Sequence, residues 1–457
     1  MERPLSILVA FLLGATAVVP AKAEVPSSTK TSVEAQPGVD AAQVQARRDD
    51  LFQRMIQKPD DLDTAFEYAA LSAQIGDLEA AISTLERMLV FAPGLPRLQL
   101  ELGVLYYRLS AFETARTYFE AAVSGPDVPQ EVRDKVSQYL NAIDKAGETT
   151  RFSGQFRAGV RYQTNANRVT TDNTILLNGL PFILAPGARG GPDTNIYGAG
   201  FFHMSHDLQS QGDTLEADLV AYGARQFKRN ELDTAVAELT FGPAFDLGRF
   251  GIQNGAVGVY GIGSLAAIAQ NYYAGAVGAG TRLVLLPTPG LSSVTSLEYR
   301  SRSYNNSSAA PAAELRDGDE VRAYTRLTYV INPTLTASAT AYVQDTQAER
   351  PFLAYTETGI AGSLSFAFNA PFKLDTGPWI FSPNAGFIHR SFDGPDPFVN
   401  VNEAERDNES FIGASLLVPL KDDWGILAET EYRNFDSNYP MFEFDDFSVS
   451  LSVVKSF

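Results

Sequence analysis

The chain has 457 residues, no cysteine and a formal net charge of −18 at pH 7. A chain this acidic repels nucleic acid, so its composition excludes nucleic-acid binding. The lack of cysteine excludes disulfides and lipid attachment through a cysteine, and it is common in proteins of the oxidising periplasm.

Residues 1–23 have the pattern of a secretory signal peptide. A basic Arg3 precedes an apolar run at 5–19, and residues 21–23, Ala-Lys-Ala, form the small-x-small pattern of a cleavage site. We expect cleavage after this triplet, with an uncleaved anchor helix as the alternative, although the run is short for a membrane span. Residues 24–40, rich in Ser, Thr, Pro and Gln, predict a disordered leader.

Residues 41–147 have the Ala, Leu, Glu and Arg content of helices and repeat with a period of 34. Matching positions carry matching residue classes at Pro59/Pro93, Ala69/Gly103, Gly76/Ser110, Ala81/Ala115, Leu85/Phe119 and Met88/Ala122. This period predicts two tetratricopeptide-like repeats in a periplasmic helical domain, with a leading and a closing helix. An unrelated helix bundle is the alternative.

The concave side of the first helix of each repeat is a candidate groove for a client protein. Its side chains would be Asp63, Phe66, Gln74, Arg97, Tyr107 and Arg108. Arg and aromatic residues are typical of surfaces that bind peptides. Phe66 and Tyr107 could equally complete the packing between helices.

Residues 148–457 are rich in Gly, Tyr, Phe, Asn and Thr, and strand alternation replaces the helical period. In the segments 215–227, 321–331 and 424–434, charged residues other than Arg225 occupy one register only. A soluble sandwich would also alternate, but together with the signal peptide this pattern favours a transmembrane barrel with a wet interior. We predict a two-domain α + β chain with an antiparallel outer-membrane β-barrel of about 14 strands, with 12 or 16 as alternatives.

The last segment, 447–457, predicts the strand that closes the barrel. Its apolar register contains Phe447, Val449, Leu451, Val453 and the terminal Phe457, whereas serines dominate the other register. An aromatic terminal residue on an alternating strand is typical of outer-membrane barrels, with the edge strand of a soluble sandwich as the alternative.

The inward register carries charges of both signs. The candidate lumen residues are Glu216, Asp218, Glu238, Glu298, Arg300, Arg302, Arg322, Arg326, Glu429, Glu431 and Arg433. A pore for an anionic polymer should be lined mainly by Arg and Lys. The mixed lining favours a plugged or laterally working barrel, or a pore without strong ion preference. The longest connection, 164–193, could fold inward or form a partner surface.

No pattern in the sequence indicates catalysis. His203 and His206 fall on opposite faces of a strand, and His389 is isolated. The acidic stretch 393–407 lacks the ligand spacing of a calcium loop and is better explained as a solvated loop. We therefore predict a protein that is not an enzyme and has no cofactor and no metal site.

The segment 152–169, FSGQFRAGVRYQTNANRV, looks like the opening barrel strand of the surface lipoprotein assembly modulator family. The order of signal peptide, tetratricopeptide-like domain and barrel also resembles that family. The resemblance implies an outer-membrane factor that helps deliver lipoproteins or small secreted proteins to the bacterial cell surface. Its partners would be outer-membrane lipid, the client, and the periplasmic chaperones and insertion machinery that assemble the barrel. The alternatives are an exopolysaccharide export porin with periplasmic repeats and a structural docking protein of the outer membrane.

Overall fold

The computed structural model describes residues 41–125, 128–372 and 377–457. The predicted signal peptide and leader, at 1–40, lie outside these residues. The chain forms two compact units that meet in sequence between Glu148 and Thr149. The first contains helices and the second a β-barrel, as the sequence predicted for the fold class.

Six helices make up the described part of the first unit. They are α1 (Ala41–Gln57), α2 (Leu62–Gln74), α3 (Leu78–Met88), α4 (Pro96–Arg108), α5 (Phe112–Val123) and α6 (Gln130–Gly147). Sequential helices pack on one another, most extensively α2 on α3 and α4 on α5. None of the helices in the described residues is both long enough and apolar enough to span a membrane.

The 34-residue period corresponds to equivalent core positions in the two helix pairs. Ala81 and Ala115 are both fully buried where their helices cross, and Leu85 and Phe119 are buried one turn later. A Cβ atom at Gly103 would lie 2.7 Å from the ring of Phe119. The second repeat therefore has glycine at this position because its larger aromatic ring fills the space.

The second unit is a closed antiparallel barrel of 14 strands with a small hairpin outside its wall. The strands are β1 (Thr150–Gln163), β2 (Thr174–Leu177), β3 (Leu180–Ile183), β4 (Asp193–Asp207), β5 (Thr214–Gln226), β6 (Thr234–Asp246), β7 (Gly255–Ile268), β8 (Asn271–Thr288), β9 (Leu291–Tyr304), β10 (Gly318–Asn332), β11 (Leu335–Thr346), β12 (Tyr355–Phe368), β13 (Trp379–Phe392), β14 (Arg406–Pro419), β15 (Trp424–Ser437) and β16 (Phe444–Ser456). The hairpin β2–β3 lies in the long connection between β1 and β4, and β1 pairs with both β4 and β16.

Side chains alternate between the interior and the exterior along each strand. On β16 the exposed positions are Phe447, Val449, Leu451 and Val453, whereas Ser450 and Ser452 are buried. The apolar residues of this strand therefore face outward and the serines face the lumen. An apolar exterior around a polar interior is the organisation of a barrel that stands in a lipid bilayer.

The two ends of the barrel differ in their connections. The chain enters at Thr150 and leaves at Phe457 on the end that carries tight turns such as 289–290 and 333–334. We call this the terminal end, and the opposite end, where the connection 164–192 lies, the loop end. The difference is not strict, because the β7–β8 connection at the loop end contains only residues 269–270.

Candidate functional site

The helical unit brings two of the six predicted groove residues into contact. The guanidinium of Arg97, on α4, lies 4.6 Å from the ring centre of Phe66, on α2. Phe66 is half-buried and Arg97 is exposed. Asp63, Gln74 and Arg108 are also exposed. Five of the six predicted groove residues are therefore accessible to a client, and Tyr107 is the exception.

Tyr107 is not accessible, which corrects its placement in the groove. It is only 6% exposed, and its ring packs against Phe112 at 5.6 Å and Tyr139 at 5.3 Å. The alternative interpretation, helix packing, is therefore right for Tyr107.

Its neighbour Tyr106 takes part in a surface cluster that the sequence did not indicate. The rings of Tyr106 and Tyr118 are stacked with 5.5 Å between their centres. The Tyr106 hydroxyl donates a 2.6 Å hydrogen bond to the carboxylate of Glu86. This hydrogen bond, with a contribution from burial, raises the pKa of Tyr106 to about 12. The three residues come from three different helices, so no sequence spacing could have grouped them.

The predicted lumen charges on β5 to β9 form ion pairs across the wall. Arg282 on β8 lies 2.9 Å from Asp218 on β5. Arg300 on β9 lies 2.9 Å from Glu298 and 3.1 Å from Glu238 on β6. These ion pairs join strands that are up to three positions apart in the barrel.

A second group of ion pairs lies on the other side of the wall. Arg433 on β15 pairs with Glu431 at 2.9 Å and with Glu409 on β14. The guanidinium of Arg157 on β1 lies 3.2 Å from the carboxylate of Glu429 on β15. This ion pair between β1 and β15 reaches across β16, the strand that closes the barrel against β1.

The remaining predicted charges have different partners. Arg302 lies 3.5 Å from Glu320, and Arg322 stacks on the ring of Tyr342 at 5.1 Å. Two others make hydrogen bonds to hydroxyls of the wall, Arg326 with Thr340 at 3.2 Å and Glu216 with Thr214 at 3.2 Å.

Further charged residues on the inward register were not predicted from the sequence. The missed residues with ion pairs are Arg157, His203, Arg282, Glu320, Glu357, Arg390, Asp407 and Glu409. All of them lie on the inward register, so a stricter use of the alternation would have found them. Their pairing could not have been found in this way, because it depends on how the strands are staggered.

The lumen wall changes character from one end of the barrel to the other. Near the loop end its charged side chains are buried against each other, for example Glu357, Arg390 and Glu409. Toward the terminal end, strands β10 to β14 carry accessible hydroxyl and amide side chains instead: Thr328, Ser338, Thr340, Ser363, Ser365, Ser382, Asn384 and Ser415. The lumen wall is thus lined by buried ion pairs toward the loop end, and toward the terminal end it is polar and accessible.

The strand pairing that closes the barrel is its shortest. β1 and β16 are paired over nine residues, Gln155–Gln163 with Ser448–Ser456. Every other neighbouring pair in the barrel shares at least 11. Backbone hydrogen bonds continue past both ends of this register, between Gly154 and Phe457 and from the N–H of Thr164 to the carbonyl of Phe447. The seam thus has the fewest register pairs in the wall.

In the described residues, no group of three or more His, Asp or Glu side chains is arranged to hold a metal ion. His203 instead faces the lumen, where its Nδ1 atom lies 2.7 Å from Asp218.

The sequence matches no protein-family model and no curated protein. Weak structural similarity exists to three kinds of solved structure. The type III secretion chaperone SycD of Yersinia enterocolitica, in complex with a peptide of the translocator YopD, is 15% identical and covers 23% of this chain and 84% of its own, with a TM-score of 0.22. A bacterial polysaccharide outer membrane secretin is 10% identical over 66% of this chain and 98% of its own, with a TM-score of 0.34. The outer membrane channel DcaP of Acinetobacter baumannii is 10% identical over 68% and 98%, with a TM-score of 0.35. At these scores nothing about cargo or activity follows for this chain.

Proposed function

We propose that this protein is an outer-membrane translocation and assembly factor that helps deliver lipoproteins or small secreted proteins to the bacterial cell surface. In this proposal the barrel stands in the outer membrane and the helical unit lies in the periplasm. The observation that carries the proposal is the short seam between β1 and β16. Backbone groups released along this seam can pair with a strand of a folding client, which is a known mode of peptide recognition.

The lumen supports the same proposal. Most of its charges form ion pairs within the wall, so it lacks the uncompensated basic lining expected of a pore for an anionic polymer. The accessible polar surface lies toward the terminal end, which faces the periplasm in this orientation. A client arriving from the periplasm would meet this surface first.

The helical unit would hold the client through the groove around Phe66 and Arg97. Both residues are accessible, and an aromatic ring beside a guanidinium is typical of an anchor site for a peptide. We expect Phe66→Ala with Arg97→Glu to reduce capture of the client by the full-length protein at least tenfold. Arg87→Glu, which makes the same charge change at an exposed position on α3, outside the candidate groove, is the control.

The experiment that tests the function is protease shaving of intact cells with and without the gene, followed by identification of the lipoproteins that are digested. We expect one or a few lipoproteins to become protected in the deletion strain while their total amount stays constant. If the digested set is the same in both strains, surface delivery is wrong.

Export of an exopolysaccharide is the second candidate. The hydroxyl and amide lining of β10 to β14 favours it, because such groups hydrogen-bond to neutral sugars. Loss of secreted polysaccharide in the deletion strain, with unchanged surface lipoproteins, would support this candidate over the first.

A further inference from the structure

Most arginines whose side chains face the lumen have a carboxylate partner. Six of them lie within 3.6 Å of a carboxylate oxygen: Arg157, Arg282, Arg300, Arg302, Arg390 and Arg433. Two more donate hydrogen bonds to hydroxyls, Arg161 to Tyr222 at 3.4 Å and Arg326 to Thr340 at 3.2 Å. A guanidinium carries five N–H donors, and it is costly to bury them without an acceptor.

Arg322, on β10, is buried and has neither kind of partner. It is 4% exposed, and its Nε atom is buried without an acceptor. Within the part of the chain that the structure describes, its contacts are with two aromatic rings, Tyr342 at 5.1 Å and Tyr324 at 5.8 Å. A ring face attracts the positive charge, but it offers no oxygen to the N–H donors.

The neighbouring side chains are turned to other partners. Glu298 and Gln344 lie opposite Arg322 on the two adjacent strands. The carboxylate of Glu298 pairs with Arg300 at 2.9 Å, and the amide nitrogen of Gln344 donates to Glu320 at 3.2 Å. The wall around Arg322 therefore supplies no acceptor for its guanidinium.

This side of the lumen also has an excess of positive charge. The inward arginines of β8 to β11 are Arg282, Arg300, Arg302, Arg322 and Arg326. The carboxylates that pair with them are Glu298 and Glu320 on the same strands, with Asp218 and Glu238 reaching them from β5 and β6. Five arginines against four carboxylates leave one positive charge, which favours an anion as the missing partner of Arg322.

Arg322 lies where the buried ion pairs end and the accessible wall begins. On the inward register of β10, Glu320, toward the loop end, is buried. Tyr324, Arg326 and Thr328, toward the terminal end, are partly exposed. A ligand that enters from the terminal end along the hydroxyl and amide side chains would therefore reach Arg322 at the inner end of this wall.

We propose that Arg322 binds a small oxyanion, the phosphate or carboxylate group of a ligand that enters the lumen from the terminal end. The planar guanidinium presents paired N–H donors that match two oxygens of such a group. Stacking on Tyr324 and Tyr342 holds the guanidinium in position for it. The inference concerns a site in the lumen and does not depend on surface delivery or on the seam.

The test is isothermal titration calorimetry of the purified full-length protein in detergent, with inorganic phosphate and separately with acetate. We expect one saturable site per chain, and the anion that binds more tightly shows which of the two groups the site prefers. Arg322→Met, which has an apolar side chain of similar length, should weaken binding at least tenfold. Arg157→Met is the matched control and should bind as the wild type, because β1 is seven positions from β10 around the ring of strands.

A second measurement separates a ligand site from a structural role. Without added anion, Arg322→Met should resist heating at least as well as the wild type, because it removes buried donors that lack an acceptor. Arg157→Met should resist heating less well, since Glu429 loses its arginine partner.

The absence of saturable binding of either anion to the wild type would overturn the proposal, as would equal binding by Arg322→Met. An Arg322→Met barrel that fails to fold, or that melts earlier than the wild type, would show that the chain itself already satisfies this guanidinium, and would overturn the proposal too. These readouts are independent of protease shaving, so surface delivery and the oxyanion site can fail separately.

Discussion

The pair of Tyr106 and Glu86 makes the helical unit sensitive to alkaline pH. The folded pKa of Tyr106, about 12, lies above the ordinary value of 10.0 because the hydroxyl donates to a carboxylate. A raised folded pKa means that the interaction stabilises the fold fully below pH 10 and that this contribution is lost as the pH rises through 12.

We therefore expect the helical circular-dichroism signal to melt at lower temperature above pH 10 than at pH 7. Tyr106→Phe should lower the free energy of unfolding by about 1 kcal/mol at pH 7, which is typical of one lost hydrogen bond. It should also flatten the pH dependence between 10 and 12. Identical alkaline profiles for the two proteins would show that Tyr106 is not responsible.

Gly242 is a position on β6 where the barrel wall has no room for a side chain. A Cβ atom there would collide with the carbonyl oxygen of Val259 and lie 2.6 Å from the Cα of Tyr260. The β6–β7 register is interrupted at 242–243, so the two backbones approach closely.

We expect Gly242→Ala to destabilise the barrel by about 1–3 kcal/mol, as overpacking generally does. Gly263→Ala on β7 is the matched control, because a Cβ atom there meets nothing within 4 Å. The heat resistance of both variants is measured as the fraction of folded barrel that remains after stepwise heating, read from gel mobility. A Gly242→Ala barrel as heat-resistant as the control would contradict the close approach.

At the scale of elements, the two repeats differ in how their second helices begin. Asp77 caps α3, accepting a 3.1 Å hydrogen bond from the backbone N–H of Ala80, and pairs with Arg48 at 2.9 Å. The equivalent residue before α5, 34 positions later, is Ala111, which offers no side-chain cap. Its backbone angles, φ −83° and ψ 66°, nearly equal those of Asp77, φ −82° and ψ 70°.

Because the backbone already has the capping geometry, we expect Ala111→Asp to stabilise the helical unit by about 0.5–1 kcal/mol. Asp77→Ala should destabilise it by about 1 kcal/mol or more, since the cap and the ion pair are both lost. Urea unfolding followed by circular dichroism at 222 nm measures both variants. A neutral or destabilising Ala111→Asp would mean that the two helix starts are not equivalent.

At the scale of the whole molecule, the absence of cysteine allows a direct test of the seam. Gln155 on β1 and Ser456 on β16 lie directly opposite each other in the register, with both side chains facing inward. Opposite residues on antiparallel strands have Cα separations of about 4.5–5.5 Å, within the range that a disulfide accepts. Gln155→Cys with Ser456→Cys should therefore lock the barrel closed.

We expect the locked barrel to lose surface delivery under oxidising conditions and to regain it when reductant is added. A disulfide between Ser338→Cys and Ser363→Cys, across β11 and β12, is the control and should leave delivery intact. Continued delivery by the seam-locked barrel would show that clients do not enter between β1 and β16.

The sequence by itself determined the architecture because two of its periods have direct structural meaning. The 34-residue period placed Ala81 and Ala115 at equivalent helix crossings, and the period of two along 447–457 separated the outward apolar face from the inward serines. Both signals are local, so they do not depend on how distant segments meet.

Tertiary structure decided which residues come together. One step along a helix turns a side chain by about 100°, so only the packing of α4 showed that Tyr107 is buried and Tyr106 lies at the surface. Arg282 contacts Asp218, which is 64 positions away in sequence. The closure and the stagger of the strands decide where each of these side chains lies along the barrel axis. The anchoring of the long connection was equally hidden, because its partners, Asp446 and the β13–β14 connection, are more than 200 residues away in sequence and reach it only when the barrel closes.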